Sequence, residues 1–389
     1  MDRSKWEYKK LGEVCTVVSG STPKTQIEEY WNGSHFWITP AELDGSTYVS
    51  KSERLITDLA IEKTNLTLLP IGTVLLSSRA PIGKVAITTS PMYCNQGFKN
   101  LICSPAVHNK YLYWFLKGKT DYLNSLGRGA TFKEISKTIV ENIKIPVYSL
   151  EAQQNISDEI DCLNEMIAVK QEQLKEFDKL AQSIFYDMFG DPVTNEKGWD
   201  IIKLGDICSC ITKGTTPTTL GFPFVEEGIN FVKVESFVDG KIDSSKLTHI
   251  THECHQALSR SQLESEDLLI CIAGATIGKM AFVDASILPA NTNQACAIVR
   301  LKDKNNLRYI HYYLALKLKN DIMKMGKGVA QPNLSLGQLR DFTISLPPLS
   351  LPQQFAEKIS AIEAQKELVK QSIAETQQLL DYTMDKYFG

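Results

Sequence analysis

The chain has 389 residues, 43% of them hydrophobic and 22% charged, with a formal net charge of −3. It is too apolar for disorder, long enough for two or three buried cores, and not the uniformly basic chain of a general nucleic-acid binder. The polar opening MDRSKWEYKK and the lack of any run of eighteen uncharged apolar residues argue against secretion and membrane spanning, and the nine scattered cysteines suit reduced thiols in a cytoplasmic protein.

In chain order, LGEVCTVVSGSTPKT at 11–25 ends in a turn-rich loop. Thr73–Leu76 reads as a strand, and SSRAPIGKVAI at 77–87 as strand, tight turn and strand, with Lys84 exposed at the turn. NQGFKNLIC at 95–103 is a further strand, a helix is predicted at about 110–118, and GRGATFKEIS at 127–136 is a glycine loop. From IPVYSLEAQQ at 145–154 to the FG at 189–190 there is no further Pro or Gly, so this stretch reads as one long helix. The same order then returns: LGDICSCITKGTTPTT at 204–219, strands at Leu268–Ile272 and Ala297–Leu301, IAGATIGKMAF at 272–282 with Lys279 at its turn, and NQACAIVR at 293–300. A helix at about 308–319, GKGVAQPNLS at 326–335, LPPLSLPQQ at 346–354 and a long helix closing on FG complete the copy. One module of about 195 residues is present twice.

The long helices carry a narrow apolar stripe. Positions 156, 160, 163, 167, 170, 174, 177, 181, 184 and 188 hold Ile156, Ile160, Leu163, Ile167, Lys170, Leu174, Phe177, Ala181, Ile184 and Met188, a 4-3-4-3 spacing broken only by the lysine. The copy holds Phe355, Ile359, Ile362, Lys366, Val369, Ile373, Thr376, Leu380, Thr383 and Tyr387. Such a stripe predicts a coiled-coil seam, with Lys170 and Lys366 as polar breaks that fix register. Charge sorts by segment: Lys and Arg exceed Asp and Glu by five in 1–149, fall short by six in 150–190, balance in 191–349 and fall short by two in 350–389. A polyanion partner is therefore open for the first globular part and permitted for the second.

No catalytic constellation stands out. APIGKV and ATIGKM lack the earlier glycine and the following Ser/Thr of a phosphate loop. His249, His252, Cys254 and His255 have no finger spacing, and LTHITHECHQALSRSQL reads as an amphipathic helix; no metal site is expected. Cys208 and Cys210 are expected on one strand face. The signatures of hydrolases, kinases, dinucleotide enzymes and adenine-N6 methyltransferases are missing, so neither catalysis nor a cofactor is expected. What recurs is loop chemistry. Ser21, Thr22 and Lys24, with Lys213, Thr215 and Thr216 in the copy, offer hydroxyls, amides and charge at turns. Asn95, Gln96, Asn293 and Gln294 can pair bidentately with adenine or cap strand ends. Arg128, Lys133, Lys324 and Lys327 flank glycine loops, where they meet phosphates or form a solvated basic face.

The order of the L-G-[ED]-[VI] start, G-[ST]-T-P loop, [PT]-I-G-K turn, N-Q strand, G-x-G-[AV] loop, [IL]-P-x-x-[SL]-L-x-x-Q-Q and long helix ending F-G resembles the specificity subunit of type I restriction-modification systems, across nearly the whole chain and twice. The resemblance implies an α+β fold with two target recognition domains, 1–149 and 191–349, separated by two long helices, 150–190 and 350–389, that form an antiparallel coiled coil in a pseudo-twofold repeat. It also implies that each domain reads half of a bipartite double-stranded DNA site. The implied partners are two adenine-methyltransferase subunits and ATP-dependent translocating restriction subunits. A helix of about 36 residues spans about 54 Å, so the helices act as a ruler between half-sites. The rival readings are an enzyme with its own active site and a coiled-coil adaptor that binds only protein.

Overall fold

The computed structural model describes residues 7–129, 133–325 and 333–389. They form two compact units: the described residues up to Glu172 together with Lys370–Gly389, and Gln173–Val369.

The first unit is built on a five-stranded sheet in the order Cys15–Ser19, Lys99–Cys103, Val74–Leu76, Val85–Thr88, Tyr48–Val49, antiparallel except for the last pair. Its inner strands are near-continuous apolar runs because both faces are covered. Val74, Leu76 and Ile87 enter one core with Tyr111, Leu112 and Phe115 of the helix Asn109–Gly118. Leu75 and Ala86 point the other way, into a core with Ile38, Met92, Cys94 and Phe98. A three-stranded sheet, Arg54–Ile56, Trp31–Ile38 and Tyr93–Cys94, stands on that second side. Tyr8–Lys10 pairs with Lys144–Pro146 and closes the unit.

The second unit repeats the plan. Cys208–Lys213, Cys296–Leu301, Leu268–Cys271 and Met280–Phe282 form an antiparallel sheet, with Thr248–Ile250, Ile229–Val232 and Ala290–Thr292 as the three-stranded partner. Leu268 and Ile270 face the helix Leu307–Met325, while Leu269 and Cys271 face the other core.

The long helices are Leu150–Phe189 and Ser350–Phe388. In the first unit Ile156, Ile160, Leu163 and Ile167 share a core with Ile373, Leu380 and Tyr387. In the second, Phe177 and Ala181 pack with Phe355, Ile359 and Ile362; Leu174 and Val369 are half-buried. The pairing is antiparallel in both. Tyr387 donates its hydroxyl to Glu159 Oε2 at 2.9 Å, Lys170 Nζ donates to Thr376 Oγ1 at 2.7 Å, and Lys366 Nζ meets Asp178 Oδ1 at 2.7 Å. Each seam lysine thus has its partner on the facing helix.

Four sequence expectations need correction. Near the end of the first long helix the buried positions are Phe185 and Phe189, with Ile184 and Met188 half-buried; a straight helix drifts about 20° per heptad from a 3.5-residue repeat, which moves the stripe by one residue. Cys208 and Cys210 lie on opposite faces, because a bulge between them pairs Cys208 with Leu301 and Cys210 with Arg300. The segment read as one amphipathic helix around His252 is a strand, Thr248–Ile250, followed by a short helix, His252–Ala257, that Thr251 caps through Cys254 N. Lys84 is not exposed at its turn: its ammonium turns inward and donates to Pro40 O at 3.2 Å and Leu43 O at 2.7 Å.

Candidate nucleic-acid interface

Strand register brings the recurring loops together. Ser19 pairs with Lys99, and Lys213 with Ala297, so in each unit the loop leaving one strand meets the turn entering its partner. The approach is close enough to demand glycine. A Cβ on Gly20 would lie 1.8 Å from the Asn95 carbonyl oxygen, and one on Gly214 would lie 1.9 Å from that of Thr292. Ser21 N donates to Cys94 O at 2.9 Å, and Pro23 and Pro217 are buried beneath the loops.

One side-chain bond repeats across this junction. Thr22 Oγ1 donates to Gln96 Oε1, and Thr216 Oγ1 donates to Gln294 Oε1 at 2.5 Å. Thr216 N also donates to Gln294 Oε1, at 3.2 Å, which occupies both lone pairs of that oxygen. The exposed Gln294 therefore offers its NH₂ donors alone in this conformation, whereas Gln96 Oε1 keeps one lone pair. The asparagines shape the turns: Asn95 Oδ1 accepts from Gly97 N at 2.9 Å and Asn293 Oδ1 from Ala295 N at 3.1 Å.

The other two loops adjoin the same rim. Ser78 donates from N and Oγ to Gly97 O, at 2.7 and 3.1 Å, and Ile135 N donates to Ser78 O at 2.9 Å. The buried Lys99 ammonium reaches Glu134 Oε1 at 3.0 Å and ties down the loop that carries Arg128 and Lys133. In the second unit Ile272 N donates to Ala295 O and Leu334 N to Ile272 O, at 2.8 and 2.9 Å. Ser21, Thr22, Thr215 and Thr216 are half-buried on these rims, and Lys24, Arg128, Lys133, Lys213 and Lys279 are exposed. Lys327 lies outside the described residues.

The rim of the first unit also carries an aromatic platform that sequence reasoning missed. Trp31 and Trp37 meet edge to face, ring centroids 5.1 Å apart, and their indole N–H groups donate to Lys24 O at 3.4 Å and Ser21 O at 3.0 Å. The Arg54 guanidinium carbon sits 3.8 Å from the Trp31 ring centroid. In the second unit Lys233, which follows the strand Ile229–Val232, has its Nζ 4.1 Å from the Phe224 centroid. The available signal was two tryptophans six residues apart beside the Gly/Ser/Thr/Pro loop, and it says nothing of Arg54. Of the histidine stretch, Cys254 is buried and His255 Nδ1 meets Asn291 Oδ1 at 2.5 Å. Among the described residues no three His, Cys, Asp or Glu side chains gather as metal ligands would, and no helix is long and apolar enough to cross a membrane.

Comparison with known proteins follows the same division. The model of the type I restriction modification DNA specificity domain matches residues 3–177 and again 196–378. The chain is 32% identical over 383 residues to the type I restriction enzyme MjaIX specificity subunit of Methanocaldococcus jannaschii, covering 90% of this chain and 85% of that one. It is also 32% identical over 162 residues to the EcoR124I/EcoR124II specificity subunit of Escherichia coli, 40% of each chain. Two solved structures share the fold. The type I S subunit from M. genitalium superposes with TM-score 0.58 at 14% identity, covering 100% of this chain and 97% of that one. A chain from a study of type I system assembly superposes with TM-score 0.67 at 20% identity, covering 98% and 97%. These likenesses favour DNA specificity over the protein-only adaptor.

Proposed function

The chain belongs to the type I restriction-modification DNA specificity family, whose domain it carries twice, and from that premise we propose how it does its work. It is the sequence-reading subunit of a cytoplasmic complex and is not itself a catalyst. Residues 1–149 read one half of a bipartite double-stranded DNA site and residues 191–349 the other. The long helices, 150–190 and 350–389, set the gap between half-sites and dock two adenine-methyltransferase subunits; restriction and translocase subunits join for cleavage.

The observation that supports this best is the repeated rim: in both units a Gly/Ser/Thr/Pro loop is bound to an Asn-Gln turn by the same Thr-to-Gln hydrogen bond. Such a rim presents rigid hydroxyl, amide and ammonium groups without any reacting centre. Exposed Lys24, Arg128, Lys133, Lys213 and Lys279 meet phosphates and position the duplex, while side chains between them meet base edges. The charge-balanced second domain binds weakly alone, so affinity comes from using both domains together and from the partner subunits.

Methylome sequencing tests this. A strain carrying the chain and its methyltransferase is expected to show a two-part adenine-methylated motif that disappears when the chain is deleted. Exchanging 1–149 for the same domain of a relative should change one half-site and leave the gap. Inserting four residues near Gln171, about 6 Å of helix, should lengthen the gap by roughly one to two base pairs at ~3.4 Å each. Methyl transfer to DNA by the isolated chain would overturn the proposal.

A further inference from the structure

Building on the function proposed above, we infer that Arg54 determines specificity at one base pair of the half-site read by residues 1–149, by presenting its guanidinium edge to guanine O6 and N7.

The placement follows from strand register. Arg54 pairs directly with Trp37 across the strands Arg54–Ile56 and Trp31–Ile38. Ser52 Oγ locks that pairing, accepting from Trp37 N at 2.9 Å and donating to Arg54 O at 2.7 Å. The guanidinium carbon then lies 3.8 Å from the Trp31 centroid and 5.1 Å from that of Trp37. Stacking uses the flat face of the guanidinium and leaves its in-plane N–H donors free. Arg54 is exposed, and among the described residues no carboxylate or carbonyl accepts from those donors. Arg300 shows the contrast: its guanidinium is consumed by Asp267 and Glu264.

The same two indoles hold the Ser21–Thr25 loop through Ser21 O and Lys24 O. A planar donor fork is therefore fixed to the loop that the repeat preserves. Bidentate Arg-to-guanine pairing needs that fixed orientation; a phosphate contact needs only charge, which the exposed Lys51, three residues away in sequence, and Lys24, on the loop that Trp31 holds, supply. In the second unit the residue in the same register, opposite Phe231 on the edge strand, is Thr248, which offers no fork, so the inference is confined to the first unit.

The test uses the full chain expressed with its methyltransferase, as wild type, Arg54→Gln and Arg54→Lys, with methylome sequencing of each. The domain exchange at 1–149 identifies the half-site concerned. Both variants are expected to lose preference at one G·C pair of that half-site by roughly 10- to 100-fold, with the other half-site and the gap unchanged. An unchanged motif in Arg54→Lys would overturn the inference, because the fork would not be reading. A uniform fall in methylation with the motif intact would also overturn it and assign Arg54 to phosphate. A wild-type half-site without any G·C pair refutes Arg54 alone and leaves the function standing; a chain-independent methylome refutes both.

Discussion

Replacing Leu163 by Asp puts the seam to a quantitative test. Leu163 is 7% exposed and shares its core with Ile160, Ile167, Leu380 and Tyr387. Removing a buried leucine side chain costs about 2–5 kcal/mol. Leaving a carboxyl without a partner in the seam adds about 1–3 kcal/mol, so a loss near 4 kcal/mol is a cautious figure. At about 2–4 °C per kcal/mol for a unit of this size, the melting transition that reports the first unit should fall by roughly 10 °C. Scanning calorimetry of the full chain measures it, and Ile362→Asp should move the second unit's transition in the same way. Val169, on the same helix but 68% exposed, is the control: Val169→Asp should cost less than about 0.5 kcal/mol. Leu174→Asp belongs between them, because Leu174 is half-buried. If Leu163→Asp and Val169→Asp melted alike, the residues facing the partner helix would have been misidentified.

Three further outcomes are expected. Gly20→Ala must push the loop off the Asn95 carbonyl, which its Cβ would approach to 1.8 Å, so the motif read by 1–149 should degrade in the methylome while the other half-site persists. Gly214→Ala should do the converse. Burial pushes the thiols of Cys94 and Cys296 up to about 12, so brief iodoacetamide treatment of the native chain at pH 8 should label the exposed Cys162 and spare these two, as read by peptide mass spectrometry. Burial, with the nearby Arg308, lowers His311 from 6.5 to about 4, and its Nδ1 has no hydrogen-bond partner. The folded state therefore refuses a proton that the unfolded chain accepts below pH 6.5. Stability is full above that pH and falls by up to about 3 kcal/mol as pH drops toward 4; His311→Phe should flatten that slope in urea titrations.

Much of this architecture was legible because it is periodic or repeated. The long helices declare themselves through a 3.5-residue stripe, and strands buried on both faces, such as Val74–Leu76 and Leu268–Cys271, through unbroken apolar runs. Legibility failed where the outcome depends on residues distant in sequence. Nothing near Lys84 announces that the carbonyls of Pro40 and Leu43 will take its ammonium, and nothing near Arg54 announces two indoles. The bulge at Cys208 and Cys210 is likewise invisible to a rule that assumes strict alternation.

The duplication separates framework from reading surface more sharply than one copy would. Gly20 and Gly214, Pro23 and Pro217, Thr22 and Thr216, and Gln96 and Gln294 keep both their identities and their contacts. On the function proposed above the two domains read different half-sites, and that difference cannot come from residues they share. On that reading the Thr-to-Gln bond and the glycine approach serve the frame that holds the rim rigid. Specificity must sit where the copies diverge on that frame. Lys84 is turned inward while Lys279 is exposed, and Arg54, its guanidinium over two tryptophans, stands in the register that Thr248 fills in the second copy. A fork that makes two parallel hydrogen bonds can discriminate one base edge from another, whereas a rotating point charge discriminates far less. On the inference drawn for Arg54, the first unit demands a guanine at a place where the second, with Thr248 in that register, relies on other groups of its rim.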